Sequence, residues 1–517
     1  MASAVWEEAG LLPADLLPSS ILRGLQDKLY DRRKTAALDL ERWTRSQSTT
    51  EGGDGLWRQA ILLLTRDLTY SLNPHARNGG LIGLAAMAIA IGADVPHFLY
   101  FKQDATKRLK GTKKRIGDFI SVLMPPVLAL LGDSDARVRY YACESMYNMC
   151  KVTKRGESLL FFNEVFDALS RLSADPEVSV KNGAEMLDRL VKETVADQAA
   201  AYRTQQRALD ALVATGESGA PVTVLQREPN GREAVMVQAT PHPVFTLHRF
   251  MPLLKERLNV INPFTRSFLI TWLAVLETLP SLDLLSYLPD FLPALFTYTG
   301  DRHDDVRIAA IELLGDLLKD IQDVVLVREE GARPAPTIQW AAILQIVLSH
   351  LNANTPSTQA TALMWISDLA VLAPKETLAF LPDVVRLIFP SLAMSMPIEI
   401  LSLARSAQKN VQSTLTSADT TPAAFGYAET VHALVGHVKH PQEETRVASV
   451  AWLFLLQQKD PRLFRPLLPS LFPHLILLLS DKSEAVSKLS LCEKDGVFKV
   501  EKGAGRDADP AWSIGRG

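Results

Sequence analysis

The sequence predicts an all-α protein, a HEAT/armadillo-like α-solenoid superhelix, and three observations carry that reading. The 517 residues are 47% hydrophobic but only 7% aromatic, so a large core is available with few strand-favouring rings. A proline, an aspartate and a basic residue recur at fixed mutual offsets. Asp133, Asp175 and Asp301 are spaced by 42 residues or a multiple of it, which is the HEAT/armadillo period.

The elements follow in chain order. From Met124 the chain reads MPPVLALLGDSDARVRYYACESMYNMCKV, an apolar helix containing Pro125, a tight turn at Gly132 and Asp133, and a second helix from near Ala136. A matching stretch starts at Tyr287, where Pro293, Asp301 and Arg307 keep the offsets of Pro125, Asp133 and Arg139, eight and six residues in both. In a third copy from Leu468, Pro473 and Asp481 keep the first offset, and Ser487 replaces the basic residue. Asp175 and Lys181 keep the second offset without the proline. Asp133 to Asp175 is 42 residues, and Asp133 to Asp301 is 168, four times 42. More degenerate second helices start near Arg77, Arg266, Thr358 and Arg446. Loops are expected at Gln47 to Gly55, Thr215 to Pro243, Arg328 to Pro336 and Ser413 to Gly426, where repeat proteins tolerate insertion. The resulting division is N-terminal repeats over 1–200 with a basic insert near 101–119, a flexible linker over 201–246, further repeats over 247–490 and a disordered tail over 491–517.

The motif has a physical rationale. A proline inside the first helix removes a donor and bends it, which suits a curved stack. The aspartate at the turn is placed to cap the second helix. The basic residue one and a half turns further on can reach the aspartate of a neighbouring repeat. Pro125, Asp133, Arg139, Asp175, Lys181, Pro293, Asp301 and Arg307 therefore form an architectural ladder, and none of them is expected to be catalytic.

A net charge of -3 and a pI near 6.4 give no reason to expect a nucleic-acid partner. Cys143, Cys150 and Cys492 are too few for a disulfide framework, which suits a reducing compartment. The N-terminus lacks a basic n-region before its apolar stretch, so no secretory signal is expected. The most hydrophobic window, Leu81 to Ile91, is too short to span a bilayer, which takes roughly 20 residues. No phosphate-binding, dinucleotide, nucleophile-elbow or HExxH motif is present. His432, His437 and His440 form the best metal-like cluster, and they read as ordinary residues around a helix end; no cofactor and no metal are expected. Cys143 and Cys150, seven apart on one helix, read as buried small hydrophobes. The one charge run, between Phe101 and Ile120, reads as a solvated loop. Its alternative is a lipid contact through Lys107, Arg108, Lys113, Lys114 and Arg115.

Longer segments carry a resemblance. LQDKLYDRRKTAALDLE (Leu25 to Glu41), NPHARNGGLIGLAAMAIAIG (Asn73 to Gly92), DSDARVRYYACESMYNMCKV (Asp133 to Val152), Phe161 to Glu193 and Phe250 to Leu292 resemble, in the same order, the vacuole-morphology scaffold family. That family organises the PIKfyve-type phosphatidylinositol-3-phosphate 5-kinase complex. The resemblance implies a scaffold without an active site. It implies that the scaffold holds the lipid kinase and an opposing Sac-domain phosphoinositide phosphatase on endosomal or vacuolar membranes, peripherally and on the cytoplasmic face. It places the kinase on the repeats, and Arg77, Asn78, Arg137 and Tyr140, in the strongest stretches of likeness, become the candidate partner-binding region. It places self-assembly and phosphatase binding in a C-terminal helical region. Here the likeness stops after Ser480, and the tail is polar and glycine-rich. The expectation is a chain that binds the kinase alone, with Leu471, Leu475, Leu478 and Leu479 left uncapped. A transport receptor or other HEAT adaptor is the alternative, but it would not explain NGGLIGLAA and RVRYYACES.

Overall fold

A computed structural model describes residues 16–47, 53–92, 117–153, 157–214, 226–227, 233–234, 246–279, 282–329, 337–417, 425–491, 499–500 and 512–513. Among these, all regular structure is helical apart from two antiparallel pairs of two-residue strands, Gln226–Arg227 with Glu233–Ala234 and Lys499–Val500 with Trp512–Ser513. The chain divides into two units, Met1–Asp283 and Leu284–Gly517.

The first unit is a series of helix pairs. In order they are α1 (Ser19–Leu25) with α2 (Tyr30–Gln47), and α3 (Gly53–Leu64, extended by a π turn Thr65–Thr69) with α4 (Pro74–Gly92). Then come α5 (Gly117–Leu130) with α6 (Ala136–Val152), α7 (Phe162–Leu172) with α8 (Val178–Ala214), and α9 (Leu247–Arg257) with α10 (Pro263–Glu277). The second helices stack in sequence, α2 on α4, α4 on α6 and α6 on α8, so each repeat closes the core of the one before.

The division does not fall in the linker drawn at 201–246. Helix α8 runs through residue 200 to Ala214, and α9 and α10 side with the first unit. The cause is an aromatic cluster that bridges the insert. Phe166 on α7 meets Phe250 on α9 edge-on at 4.7 Å, and Phe162 meets Trp272 on α10 at 5.3 Å. Such pairs add about 0.5–1.5 kcal/mol each beyond their buried area.

The second unit contains α11 (Leu288–Tyr298) with α12 (Asp304–Glu329), and α13 (Trp340–His350) with α14 (Pro356–Leu372). After these come α15 (Pro374–Ala379), α16 (Leu381–Ile388) and α17 (Ile398–Thr416). The last are α18 (Tyr427–His437) with α19 (Glu443–Lys459), then α20 (Pro461–Phe464), and α21 (Leu468–Leu479) with α22 (Glu484–Leu491). The loop expected from Ser413 thus begins only after Thr416.

Two regularities explain the local folding. Pro125, Pro293 and Pro473 lie inside first helices on their exposed sides, where the missing donor leaves no buried carbonyl unpaired. Pro252 in α9 does the same, eight residues before the next turn. Trp272, Trp365 and Trp452 are buried in second helices, and each sits edge-on to a phenylalanine of a preceding first helix or its end: Phe166, Phe296 and Phe389, at 5.6, 5.7 and 5.6 Å.

Two expectations are corrected here. Leu471, Leu475 and Leu478 are buried, not uncapped, because the short helix α22, whose Val486 is itself buried, packs on α21 and completes the repeat; Phe472, Ile476 and Leu477 are the exposed residues instead. Phe119, taken as the end of the basic insert, belongs to the core and packs edge-on against Trp57 at 5.6 Å. The candidate lipid contacts Lys107, Arg108, Lys113, Lys114 and Arg115 lie outside the described residues.

Candidate functional site

The repeat turns share one wiring. Asp133 Oδ1 accepts from the amide of Asp135 at 2.8 Å, Asp175 Oδ1 from Glu177 at 3.0 Å, Asp301 Oδ1 from His303 at 2.8 Å and Asp481 Oδ1 from Ser483 at 2.8 Å. Asp133 therefore closes the turn but does not cap the helix. The cap of α6 is Asp135, which accepts from the amides of Arg137 and Val138, because two residues later the carboxylate lies over the helix's free N–H groups.

The basic residue six positions on first serves its own repeat. Arg139 Nη1 donates to the carbonyls of Asp133 and Ser134 at 2.9 and 3.2 Å. Arg33 makes the same fork to Asp27 and Lys28, Arg77 to Ser71 and Leu72, and Arg446 to His440 and Pro441. Arg266 donates through Nε to the equivalent carbonyl of Val260, and Arg307 through Nη1 to that of Asp301. Turn carbonyls ahead of a helix have no helical partner, and a fixed guanidinium satisfies two of them at once.

The other edge of the guanidinium makes the rungs. Arg139 donates through Nε and Nη2 to Asp175 at 2.7 and 2.9 Å, with the two side chains 14% and 6% exposed. Arg77 pairs with Asp133 at 2.7 Å, and Arg446 with Asp481 at 2.9 Å through both nitrogens. Burial pushes the Asp175 carboxyl up, but the Arg139 and backbone bonds outweigh it and hold the group below the ordinary carboxylate range. The Arg446 bond does the same for Asp481.

Two ladder residues depart from expectation. Lys181 reaches no aspartate: the turn of the following repeat carries Val260 at that position, and the ammonium lies 4.4 Å over the Phe264 ring instead. Arg307 pairs within its own helix with the exposed Asp304 at 2.8 Å, since the equivalent position of the next turn is Ala353. Sequence reading missed the turn-bracing role of Arg33, Arg77 and Arg446, and the ion pairs of the last two, because their turns start with Asp27, Ser71 and His440 and lack the helix proline. The six-residue spacing alone would have found all three.

The candidate partner-binding residues separate. Arg77 is a ladder residue committed to Asp133. Asn78 is only 3% exposed and offers no surface, which corrects its assignment. Arg137 is exposed, and Tyr140 is half-buried against Tyr141, their rings 5.4 Å apart. The glycine run beside Asn78 is there for packing. A Cβ on Gly79 would fall 1.8 Å from the Leu25 carbonyl oxygen, and one on Gly80 2.9 Å from the Thr69 nitrogen. Only glycine lets α4 approach α1 and the π turn so closely. On either side of this helix, Tyr30 of α2 and Tyr141 of α6 stack on each other at 5.9 Å.

Cys143 and Cys150 are buried free thiols, each pushed up to about 12 mainly by burial, and so are poor nucleophiles. His437 stacks on Phe389 at 5.7 Å and lies 6.4 Å from His440, whose Nδ1 accepts from the Gln442 amide. Among the described residues no group of three or more His, Cys, Asp or Glu side chains is placed to hold a metal ion. What the fold offers is extended helical surface braced by a charged ladder, the equipment of a protein-binding repeat protein.

Comparison with known proteins narrows the class. Residues 75–193 match the family described as the Vacuolar 14 Fab1-binding region, and 291–321 match the HEAT repeat. Over most of its length the chain is similar to proteins named VAC14. It is 31% identical over 530 aligned residues to Protein VAC14 homolog of Schizosaccharomyces pombe, covering 91% of this chain and 61% of that protein. It is 37% identical to Vacuole morphology and inheritance protein 14 of Saccharomyces cerevisiae, over 70% of this chain and 37% of that one. It is 28% identical to Protein VAC14 homolog of Arabidopsis thaliana, over 93% and 54%. The chain thus spans about a third to three fifths of the length of these relatives. Among solved structures it is similar to Kap121p bound to Pho4p, with TM-score 0.35 and 10% identity over 94% of this chain and 43% of that one. It is also similar to an engineered protein, with TM-score 0.28 and 14% identity over 90% and 95%.

Proposed function

We propose that the chain is the HEAT-repeat arm of a non-catalytic scaffold that holds a Fab1/PIKfyve-type phosphatidylinositol-3-phosphate 5-kinase, and so supports synthesis of phosphatidylinositol 3,5-bisphosphate. The single observation that carries this is the match of residues 75–193, α4 to α8, to a Fab1-binding region. The geometry supports it: α6 presents Arg137, Glu144 and Lys151 to solvent on a helix locked at one end by Asp135 and Arg139. Such charges can bind a partner without disturbing the core beneath. The name of one relative, Vacuole morphology and inheritance protein 14, supports a vacuolar setting for this reading, in which the chain associates peripherally through its partners. Recruitment of an opposing Sac-domain phosphatase rests on the family resemblance. The test is co-purification of the kinase with this chain. Recovery of the kinase that is lost on combined charge reversal at Arg137, Glu144 and Lys151 supports the assignment. A well-folded chain that never retains the kinase overturns it.

A further inference from the structure

The region matched to a Fab1-binding family begins on α4, yet no residue of α4 is exposed, so that helix by itself presents no surface to a partner. Its neighbours supply the surface instead. Tyr30 of α2 and Tyr141 of α6 meet across α4 with ring centres 5.9 Å apart and planes within 15° of each other. Tyr140 stands edge-on to Tyr141 at 5.4 Å and carries the row to α8, where a Cβ on Gly183 would lie only 3.4 Å from its ring. The three tyrosines thus form one aromatic plate spanning the second helices of four successive repeats.

Arg33 fixes the plate in place. Its guanidinium carbon lies 5.9 Å from the centre of the Tyr30 ring, its side chain donates a hydrogen bond to the Tyr141 hydroxyl, and Nη1 donates to the turn carbonyls of Asp27 and Lys28. The rings remain accessible: Tyr30 is 42% exposed, and Tyr140 and Tyr141 are half-buried. Burial, with Glu144 adding to it, pushes the Tyr140 and Tyr141 hydroxyls up, so both stay neutral donors. In the other repeats braced by a basic residue, the two positions that follow it hold one ring, Phe268, and that ring belongs to the buried aromatic cluster. An accessible ring at these positions is therefore peculiar to this part of the chain. Tyrosines already locked in a stack offer a large contact area and lose little side-chain freedom when a partner covers them, which is why they recur as interface anchors.

We propose that the Tyr30–Tyr141–Tyr140 plate is the anchor on which the lipid kinase docks, and that the docking face therefore extends beyond residues 75–193 on to α2. The inference rests on the scaffold reading above and names where that scaffold grips its partner. Continuity carries the choice of occupant, because Tyr140, Tyr141 and Gly183 lie inside the matched region and Tyr30 completes their surface from outside it. The kinase segment that fits is one that lays aliphatic side chains on the rings and turns acceptors to the tyrosine hydroxyls. Arg137 and Glu144, exposed on α6, form the polar rim around it.

The experiment uses the full chain and the full-length kinase, with hydroxyl-radical footprinting of the chain alone and of the co-purified complex. Tyr30 and Tyr140 should be oxidised in the free chain and protected in the complex. Tyr30→Ala should lower kinase retention by roughly tenfold or more at an unchanged melting temperature. Ile308→Ala, which trims an exposed side chain at the position equivalent to Tyr140 in the second unit, should retain the kinase fully. If Tyr30→Ala melts early, the footprint on the unaltered chain decides by itself. A complex in which Tyr30 stays as oxidisable as before, or a folded Tyr30→Ala chain with full retention, overturns this inference and leaves the scaffold reading standing. A chain that never retains the kinase overturns both. Protection of Tyr30 without kinase, on concentrating the chain or on adding phosphatidylcholine–phosphatidylserine vesicles, assigns the plate to a second copy or to a lipid surface and likewise overturns the proposal.

Discussion

Arg139 and Arg307 occupy the same place in their repeats and face different surroundings, so the same substitution separates them. Arg139→Glu sets a carboxylate against the nearly buried Asp175 and strips two turn carbonyls, and should cost about 3–5 kcal/mol. Arg307→Glu loses an exposed pair with Asp304 and one carbonyl bond, and should cost below about 1 kcal/mol. Denaturant melts of the two variants check the difference, and equal losses would mean that the rung adds nothing. Glycine offers a second matched pair. Gly79→Ala must push backbone aside at Leu25 and should cost about 3 kcal/mol or more, whereas a Cβ on Gly315 meets nothing within 4 Å. Gly315→Ala should therefore stabilise its helix by about 0.5–1 kcal/mol. At this scale the sequence showed which residues recur. It could not show that Asn78 and the glycines beside it face inward, because a helix apolar on every side has no periodicity from which to read a surface.

At the scale of elements, α18 and the turn that follows it carry the pH dependence. Burial holds His437 and His440 below their ordinary value of 6.5, with His440 adding to the effect at His437 and Arg446 at His440. The unfolded chain then binds more protons than the folded one below pH 6.5. Stability of this repeat is fully present above that pH and falls as the solution is acidified through it. Thermal melts of the chain between pH 7.5 and 5 on the order of a unit apart should show this loss, and His437→Leu should flatten it. An unchanged slope in that variant would assign the loss to other groups. The helices themselves were largely legible: α5, α6, α11 and α21 follow from the proline and turn motif. Helix α22 was not, since the chain after Ser487 reads as aperiodic and only contact with α19 and α21 gives its eight residues, about two turns, a face to bury.

For the whole molecule, the expectation is a kinase-binding arm, and its sharpest test is a surface that fails without unfolding. Arg137→Glu should weaken kinase co-purification by roughly tenfold, which corresponds to about 1.4 kcal/mol, with the melting temperature unchanged. Tyr140→Ala should also unsettle the Tyr140–Tyr141 packing and lower the melting temperature, so the two readouts part company. By itself the sequence determined the repeated helical pair, its turn, the prolines inside the first helices and the likeness to a vacuolar scaffold family. All of these rest on interactions within one hairpin or on long runs of matched residues, which survive when a neighbour changes. The tertiary structure alone decided which rungs close. Arg139 finds Asp175, whereas Lys181 meets Val260 and turns to Phe264, and Arg307 faces Ala353. It also decided that the aromatic cluster of Phe162, Phe166, Phe250, Phe268 and Trp272 binds the helices on both sides of the insert into one unit. Each of these outcomes depends on two residues tens of positions apart, and a periodic pattern fixes the first partner while leaving the identity of the second to packing.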